Sequence, residues 1–230
     1  MKYVIFLFFL GRIYGQGSTS APRPPGAYDY SESDWPDYCK YGKKQTPIDL
    51  SMNLAEVIKN NSVISILSTN YSTIDYGSLN LYYNQKYGLD LSGKDTLWVL
   101  KGGLPYQYYF LGFHVHIASE HTIESMALDM ELHLVHGKNK NYIKALNISD
   151  PDTNDYLVVG IMFKSSPTSE DNPILEQMNL YTRSNITNLD FSPLVKPTKN
   201  FYHYSGSLTT PDCVEKVNWV VMDQIETLHL

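Results

Sequence analysis

Five of the chain's seven histidines fall between His114 and His136, and two of their spacings place imidazoles on a shared face. Gly112-Phe113-His114-Val115-His116 alternates, so on a strand His114 and His116 point one way while Phe113 and Val115 point the other. Glu131-Leu132-His133-Leu134-Val135-His136 alternates at its start, which puts Glu131 and His133 together. The polar stretch between the two segments is long enough to turn the chain. Side-by-side pairing then brings His114, His116 and His133 to one point. Three neutral imidazoles suit zinc and leave the fourth tetrahedral position open for water, the pattern of a catalytic site; a structural zinc site would be closed. An isolated His-x-His is more often two satisfied or exposed histidines. Its coincidence with Glu-x-His is what points to metal.

Strands have to carry these residues, and the rest of the sequence supplies them. Short alternating or apolar runs bounded by turn residues occupy 64–67, 79–83, 97–100, 108–117, 131–136, 157–163 and 217–222, the signature of a largely antiparallel sheet. The 19 tyrosines agree, because aromatic side chains favour pleated, half-buried surfaces. Helix signals are sparse. The clearest covers 172–181, with Asn172 as cap, Pro173 at the first helical position, and Ile174, Met178 and Tyr181 on one face. A chain of 230 residues has room for one well-cored domain. The expected fold is mainly β, of the α+β class: a single domain around a large twisted, mostly antiparallel sheet with few short helices.

The flanks point to export. Lys2 gives a positive start, residues 3–10 are apolar, and Ile13-Tyr14-Gly15 sets a small residue before a cleavage point at Gln16, so residues 1–16 read as a secretory signal. An apolar run of about eight residues is too short for a membrane anchor, which needs roughly 20. Residues 17–27, rich in Ser, Thr, Pro and Gly, form a flexible lead-in. Residues 28–230 form the domain, with no linker or internal repeat. Sequons at Asn60, Asn70, Asn147 and Asn185 are candidate glycan acceptors of a secreted, extracellular glycoprotein. The two cysteines, Cys39 and Cys213, are either two buried thiols or one bridge, and an oxidising compartment favours the bridge. A net charge of −6 without a cluster of Lys and Arg excludes nucleic acid as a partner.

Phe113-His114-Val115-His116, Ser119-Glu120-His121-Thr122 and Glu131-Leu132-His133-Leu134-Val135-His136 together resemble the alpha carbonic anhydrases. So do Gln45-Thr46-Pro47-Ile48-Asp49, Leu100-Lys101-Gly102-Gly103 and Tyr204-Ser205-Gly206-Ser207-Leu208-Thr209-Thr210-Pro211, and the blocks keep the family's order. The resemblance implies reversible hydration of carbon dioxide to bicarbonate and a proton by zinc-bound hydroxide, with His114, His116 and His133 as metal ligands. A water pKa near 7 is a known property of carbonic anhydrases as a group. Thr209 matches the residue that accepts the hydroxide's hydrogen bond, and Glu120 the carboxylate that accepts the threonine proton. Glu131 matches a carboxylate that orients His133 and raises its basicity. His121 and Tyr204 match a buried hydrogen-bonded pair beside the site, structural in role. Val135, Val158, Leu208 and Trp219 match the apolar wall where carbon dioxide lodges and serve equally as core, and Thr210 joins them among the substrate-binding positions.

The same resemblance implies a Cys39–Cys213 disulfide that pins the loop carrying Thr209 to the N-terminal region. Closing so long a loop contributes roughly 5 kcal/mol in a chain-entropy description. Thr46-Pro47 matches a turn with a cis peptide bond. The family's second cis proline is replaced by Asp212, whose bond is expected to be trans because a non-proline cis bond costs about 2.5–4 kcal/mol.

Three features depart from the family pattern. The histidine proton shuttle of many fast members falls near Gln85, which cannot titrate, and Lys86 beside it stays protonated near neutrality; His203 is a weak substitute. The glutamine two residues before the first ligand is Gly112, which removes a side-chain partner of His114. Beyond the strand holding Trp219, the family's remaining C-terminal strand and tail find no counterpart, so that part of the fold is expected to be missing. The expected activity is a carbonate dehydratase, a lyase, slow without its shuttle and acting on carbon dioxide and bicarbonate. The rival is a catalytically weak or silent relative serving as a secreted binding glycoprotein. Retention of all three histidines with Thr209 and Glu120 favours the enzyme.

Overall fold

A computed structural model describes residues 35–53, 55, 63–71, 74–76, 81–82, 86–88, 95–168, 170, 172–178 and 186–229. Gln85, Asn60, Asn185, the export signal and the lead-in lie outside the described residues. The first elements are α1 (Asp37–Tyr41), β1 (Asp49–Leu50), β2 (Ile64–Asn70), β3 (Ile74–Tyr76), β4 (Leu81–Tyr82), β5 (Lys86–Gly88) and β6 (Thr96–Lys101). Next come β7 (Leu104–His116), β8 (Thr122–Ile123), β9 (Met126–Ala127), β10 (Met130–Lys138), α2 (Lys140–Ala145) and β11 (Tyr156–Ser166). The last are α3 (Pro173–Met178), β12 (Ile186–Leu189), β13 (Phe201–Gly206), β14 (Val217–Met222) and β15 (Glu226–His229). The expected helix is thus seen over 173–178, with the Asn172 side chain accepting the Ile174 N–H at 3.0 Å, a normal N-cap contact.

One curled ten-stranded sheet dominates, in the order β13-β14-β11-β10-β7-β5-β4, with β6 joined to β7, β2 joined to β6 and β15 joined to β11. Most neighbours are antiparallel, as the alternating runs predict. The exceptions are β14 and β15, which pair parallel with successive parts of β11. A strand therefore follows the one holding Trp219. The β6–β7 hairpin turns on Gly102 and Gly103, whose φ values of +57° and +80° are the mirror-image turn that fits strand twist and that glycine takes without strain. No helix among the described residues is long and apolar enough to cross a membrane.

Alternation sorts the two faces of the sheet. Leu132 and Leu134 of β10, Leu157, Val159, Ile161 and Phe163 of β11, and Val220 and Met222 of β14 enter one large core. Val158, Met162, Val217, Trp219 and Val221 form a smaller cluster on the other face, flanked by Val135 and Leu208. Strict alternation along β7 would set Tyr106, Tyr108 and Phe110 on the face of His114. Instead Val135 pairs with Gly112 and His136 with Phe110, leaving Leu111 as the extra residue of a bulge. The bulge switches parity. Tyr106, Tyr108, Phe110 and Phe113 all reach the large core, while His114 and His116 face away from it. His136 follows Leu134 into that core, 2.9 Å from the Tyr71 hydroxyl, and burial pushes its imidazole down to about 4.

Far along the strands from the histidines, the large core ends in a polar network around Asp152. Its carboxylate accepts from Lys101 Nζ at 2.8 Å and Asn218 Nδ2 at 2.8 Å, and Lys138 Nζ lies 3.4 Å away. Burial would raise the Asp152 carboxyl, but Lys101, Asn218 and Lys138 hold it below the ordinary carboxylate value. A depressed folded-state pKa gives stability that is present above the unfolded value near 3.9 and lost as pH falls through the folded one. Asp152→Asn should destabilise the protein by about 3–5 kcal/mol at neutral pH, the cost of breaking a buried ion pair from one side. Urea unfolding will measure this, and the gap to the parent should narrow below about pH 4. A gap that stays constant into strong acid contradicts the assignment of charge.

Candidate metal centre

The β7–β10 ladder sets His133 opposite His114 and Glu131 opposite His116, so the three expected ligands meet on one face. Ring centroids are 4.8 Å apart for His114 and His116, 5.0 Å for His114 and His133, and 4.6 Å for His116 and His133. Their candidate ligand atoms all lie within 4.8 Å of one another. His133 Nδ1 faces His114 Nε2 at 3.2 Å. A second group, His121, Glu131 and His133, is equally compact, but hydrogen bonds between its own members already use the atoms that would bind an ion. The three-histidine group fits zinc by its chemistry: three nitrogen donors, two of them on imidazoles whose other nitrogen meets a carboxylate. His133 Nε2 is 2.8 Å from Glu131 Oε1, and His116 Nδ1 is 3.2 Å from Glu120 Oε1. Such outer partners fix ring orientation and raise ligand basicity.

Glu131 is the hub. Its side chain is fully buried, and Oε1 meets both His133 Nε2 at 2.8 Å and His121 Nδ1 at 2.7 Å. Oε2 accepts the backbone N–H groups of Glu120 and His121, each at 2.9 Å. Burial works to raise this carboxyl, yet His133 and His121 keep it well below its ordinary value. His121 Nε2 pairs with the Tyr204 hydroxyl, as the sequence suggests, and that hydroxyl reaches Thr46 Oγ1 at 3.3 Å. Burial pushes the Tyr204 phenol up.

The remaining expected residues surround this centre. Trp219 lies 4.9 Å from both the His133 and His121 rings and donates its indole N–H to Ser207 O at 2.9 Å. Val158 belongs to the same apolar cluster, with Val135 and Leu208 against it. Thr209 and Glu120 line one cleft together with Trp35, Lys40 and Thr46, and Thr210 is buried beside them in sequence. Cys39 and Cys213 are bonded, with Cα atoms 5.2 Å apart. Asn70 and Asn147 are exposed.

One expectation needs correction. Thr46–Pro47 is cis as expected, but Pro211–Asp212, expected trans, is also cis; it lies in a tight turn closed by the Cys213 N–H on Thr210 O at 2.9 Å and anchored by the disulfide. His203 pairs with Val220, a large-core residue, and donates its Nδ1–H to Trp219 O, 2.8 Å away; it lies outside the group of His114, His116 and His133. Sequence reasoning also missed the cis Ile117–Ala118 bond just after His116 at the end of β7 and the contact of Glu120 with His116. The Ser119-Glu120-His121 block draws attention to Glu120 in sequence, but only the turn's geometry shows its contact with His116.

Comparison with known proteins adds an independent finding. The family model described as eukaryotic-type carbonic anhydrase matches residues 30–229. The chain is 26% identical over 215 residues to alpha carbonic anhydrase 3 of Arabidopsis thaliana, covering 89% of this chain and 68% of that protein. It is 32% identical over 199 residues to a carbonic anhydrase of Nostoc sp., covering 81% and 66%. It is 25% identical over 226 residues to carbonic anhydrase 4 of Rattus norvegicus, covering 90% and 69%. The chain thus spans about two thirds of the length of these relatives.

The hub makes a direct prediction. Glu131→Gln should weaken zinc binding by about 10–100-fold, the usual cost of losing a ligand's outer partner. Competition with a chromophoric chelator will read this, with far-ultraviolet circular dichroism unchanged. Parent-like affinity would mean that Glu131 does not support His133.

Proposed function

The chain belongs to the eukaryotic-type carbonic anhydrase family, and from that premise we propose that it is a secreted, zinc-dependent carbonate dehydratase interconverting carbon dioxide with bicarbonate and a proton. The observation that carries the reading is the convergence of His114, His116 and His133 on one point, beside the apolar side chain of Trp219. These three imidazoles would hold the metal. Zinc, when bound, supplies a Lewis acid that brings a water's pKa to about 7, the value associated with this family.

The chain's own residues do the rest. Glu131 holds the proton of His133 on Nε2, which leaves Nδ1 as a donor nitrogen. Thr209 donates its hydroxyl proton to Glu120, which leaves the threonine oxygen as an acceptor that orients the attacking group. Val135, Val158, Leu208 and Trp219 offer an apolar wall to carbon dioxide, with Thr210 at its edge. Residues 28–230 form the catalytic domain, residues 1–16 direct export and residues 17–27 lead into the fold. The Cys39–Cys213 bridge supports an oxidising compartment. Exposure of Asn70 and Asn147 supports glycan attachment there, and Asn60 and Asn185 carry the same signal in sequence.

Each hydration leaves a proton at the centre that must be exported before the next. A positioned group titrating near the working pH contributes about 10²–10⁴-fold to such a transfer, and Gln85 offers none. Turnover should therefore be modest and should rise with imidazole buffer. Stopped-flow hydration assays and elemental analysis test this together: a single zinc per chain is expected, and Gln85→His should reduce the buffer dependence without changing zinc content. Fast, buffer-independent turnover would reveal another shuttle. Zinc-free, inactive protein would favour the silent binding glycoprotein.

A further inference from the structure

Gly160 lies inside β11, between Val159 and Ile161, where glycine is a poor choice because it costs backbone entropy and packs nothing. Backbone conformation does not require it. The described glycines with positive φ are Gly102, Gly103 and Gly112, and Gly160 is not among them. Close approach does explain it. Gly160 pairs across the ladder with His133, and a Cβ built on it would sit 3.0 Å from Glu131 Oε1. The next contacts, Val221 Cγ1 and Cγ2 at 3.5 Å, are ordinary van der Waals distances. A methyl group here therefore meets one obstacle, and that obstacle is the oxygen shared by His133 and His121.

We propose that Gly160 is a positioning residue for the metal centre: the space left by its missing side chain seats the Glu131 carboxylate in register with His133 Nε2. The carboxylate has little freedom to give way. Its two oxygens meet four donors at 2.7–2.9 Å, two of them backbone N–H groups of the turn that carries Glu120. A shift of a few tenths of an ångström changes the bond to His133, and through Oε2 it pulls on that turn. Metal affinity at His133 is thus set partly by a residue with no polar side-chain atom. This inference rests on the zinc reading above.

A double-mutant cycle tests it. Zinc release to a chromophoric chelator is timed for the parent, Gly160→Ala, Glu131→Ala and the double variant. Gly160→Ala should release zinc roughly 10-fold faster or more, the scale of a lost outer partner, whereas in the Glu131→Ala background it should change the rate less than about twofold, because sites acting through one another are not additive. In zinc-free protein, imidazole nitrogen NMR should show the His133 proton on Nε2 in the parent and a mixed tautomer in Gly160→Ala. If Gly160→Ala does not fold, the double variant should fold as Glu131→Ala does. Multiplicative release rates, an unchanged His133 tautomer, or a double variant that fails where Glu131→Ala folds each overturns the proposal. A parent protein that holds no zinc but shows the tautomer change would sink the zinc reading and leave the positioning of His133 by Gly160 standing.

Discussion

A carboxylate shut away from water organises this molecule. Glu131 sits at zero exposure, where an unpaired charge would cost many kcal/mol, so everything around it must supply donors. Four do: two imidazoles and two consecutive backbone N–H groups. The backbone pair ties the turn after β7 to β10, and that turn carries Glu120 and His121. The imidazole pair divides the centre into a side that faces His114 and His116, through His133, and a side that runs through His121, Tyr204 and Thr46. A single buried charge thereby links strand register, turn conformation and the His133 tautomer.

The sheet must deliver that carboxylate and the three histidines to one face while keeping a core on the other. β10 does so by plain alternation. β7 cannot, because its aromatic residues at 106, 108 and 110 and its histidines at 114 and 116 share parity in sequence. The bulge at Leu111 resolves the conflict by inserting one residue, and Gly112, with no side chain, follows it directly. The position where the family resemblance places a glutamine is thus next to a local backbone irregularity, and the glycine is consistent with both.

Alternation made much of this legible before any coordinates. The 217–222 strand, the pairing of 108–117 with 131–136, and the convergence of His114, His116 and His133 all follow from period-two patterns read against side-chain chemistry. What escaped has physical reasons. β13 reads Phe-Tyr-His-Tyr-Ser-Gly, with polar and aromatic residues on both faces, and so shows no clean alternation, although it brings Tyr204 to His121. Its parity is also what carries His203 away from the site, since His203 and Tyr204 must face opposite sides. Parallel pairing of β14 and β15 with β11 depends on connections rather than on local pattern. The peptide bonds at Ile117–Ala118 and Pro211–Asp212 depend on tertiary contacts that leave no mark on composition.

Two buried carboxylates, Glu131 on β10 and Asp152 in the loop before β11, are satisfied in different ways. Asp152 is neutralised by Lys101 and Lys138, and an ammonium group has only donors, so the network closes on itself. Glu131 is satisfied by imidazoles, each of which keeps a second nitrogen of opposite character once the first is engaged. For His121 that nitrogen is used by Tyr204. For His133 it points towards His114 and the space shared with His116. Burial of a charge is common to both networks; the partner's remaining atom decides whether the network is closed or leaves a nitrogen in a group that could hold a metal ion.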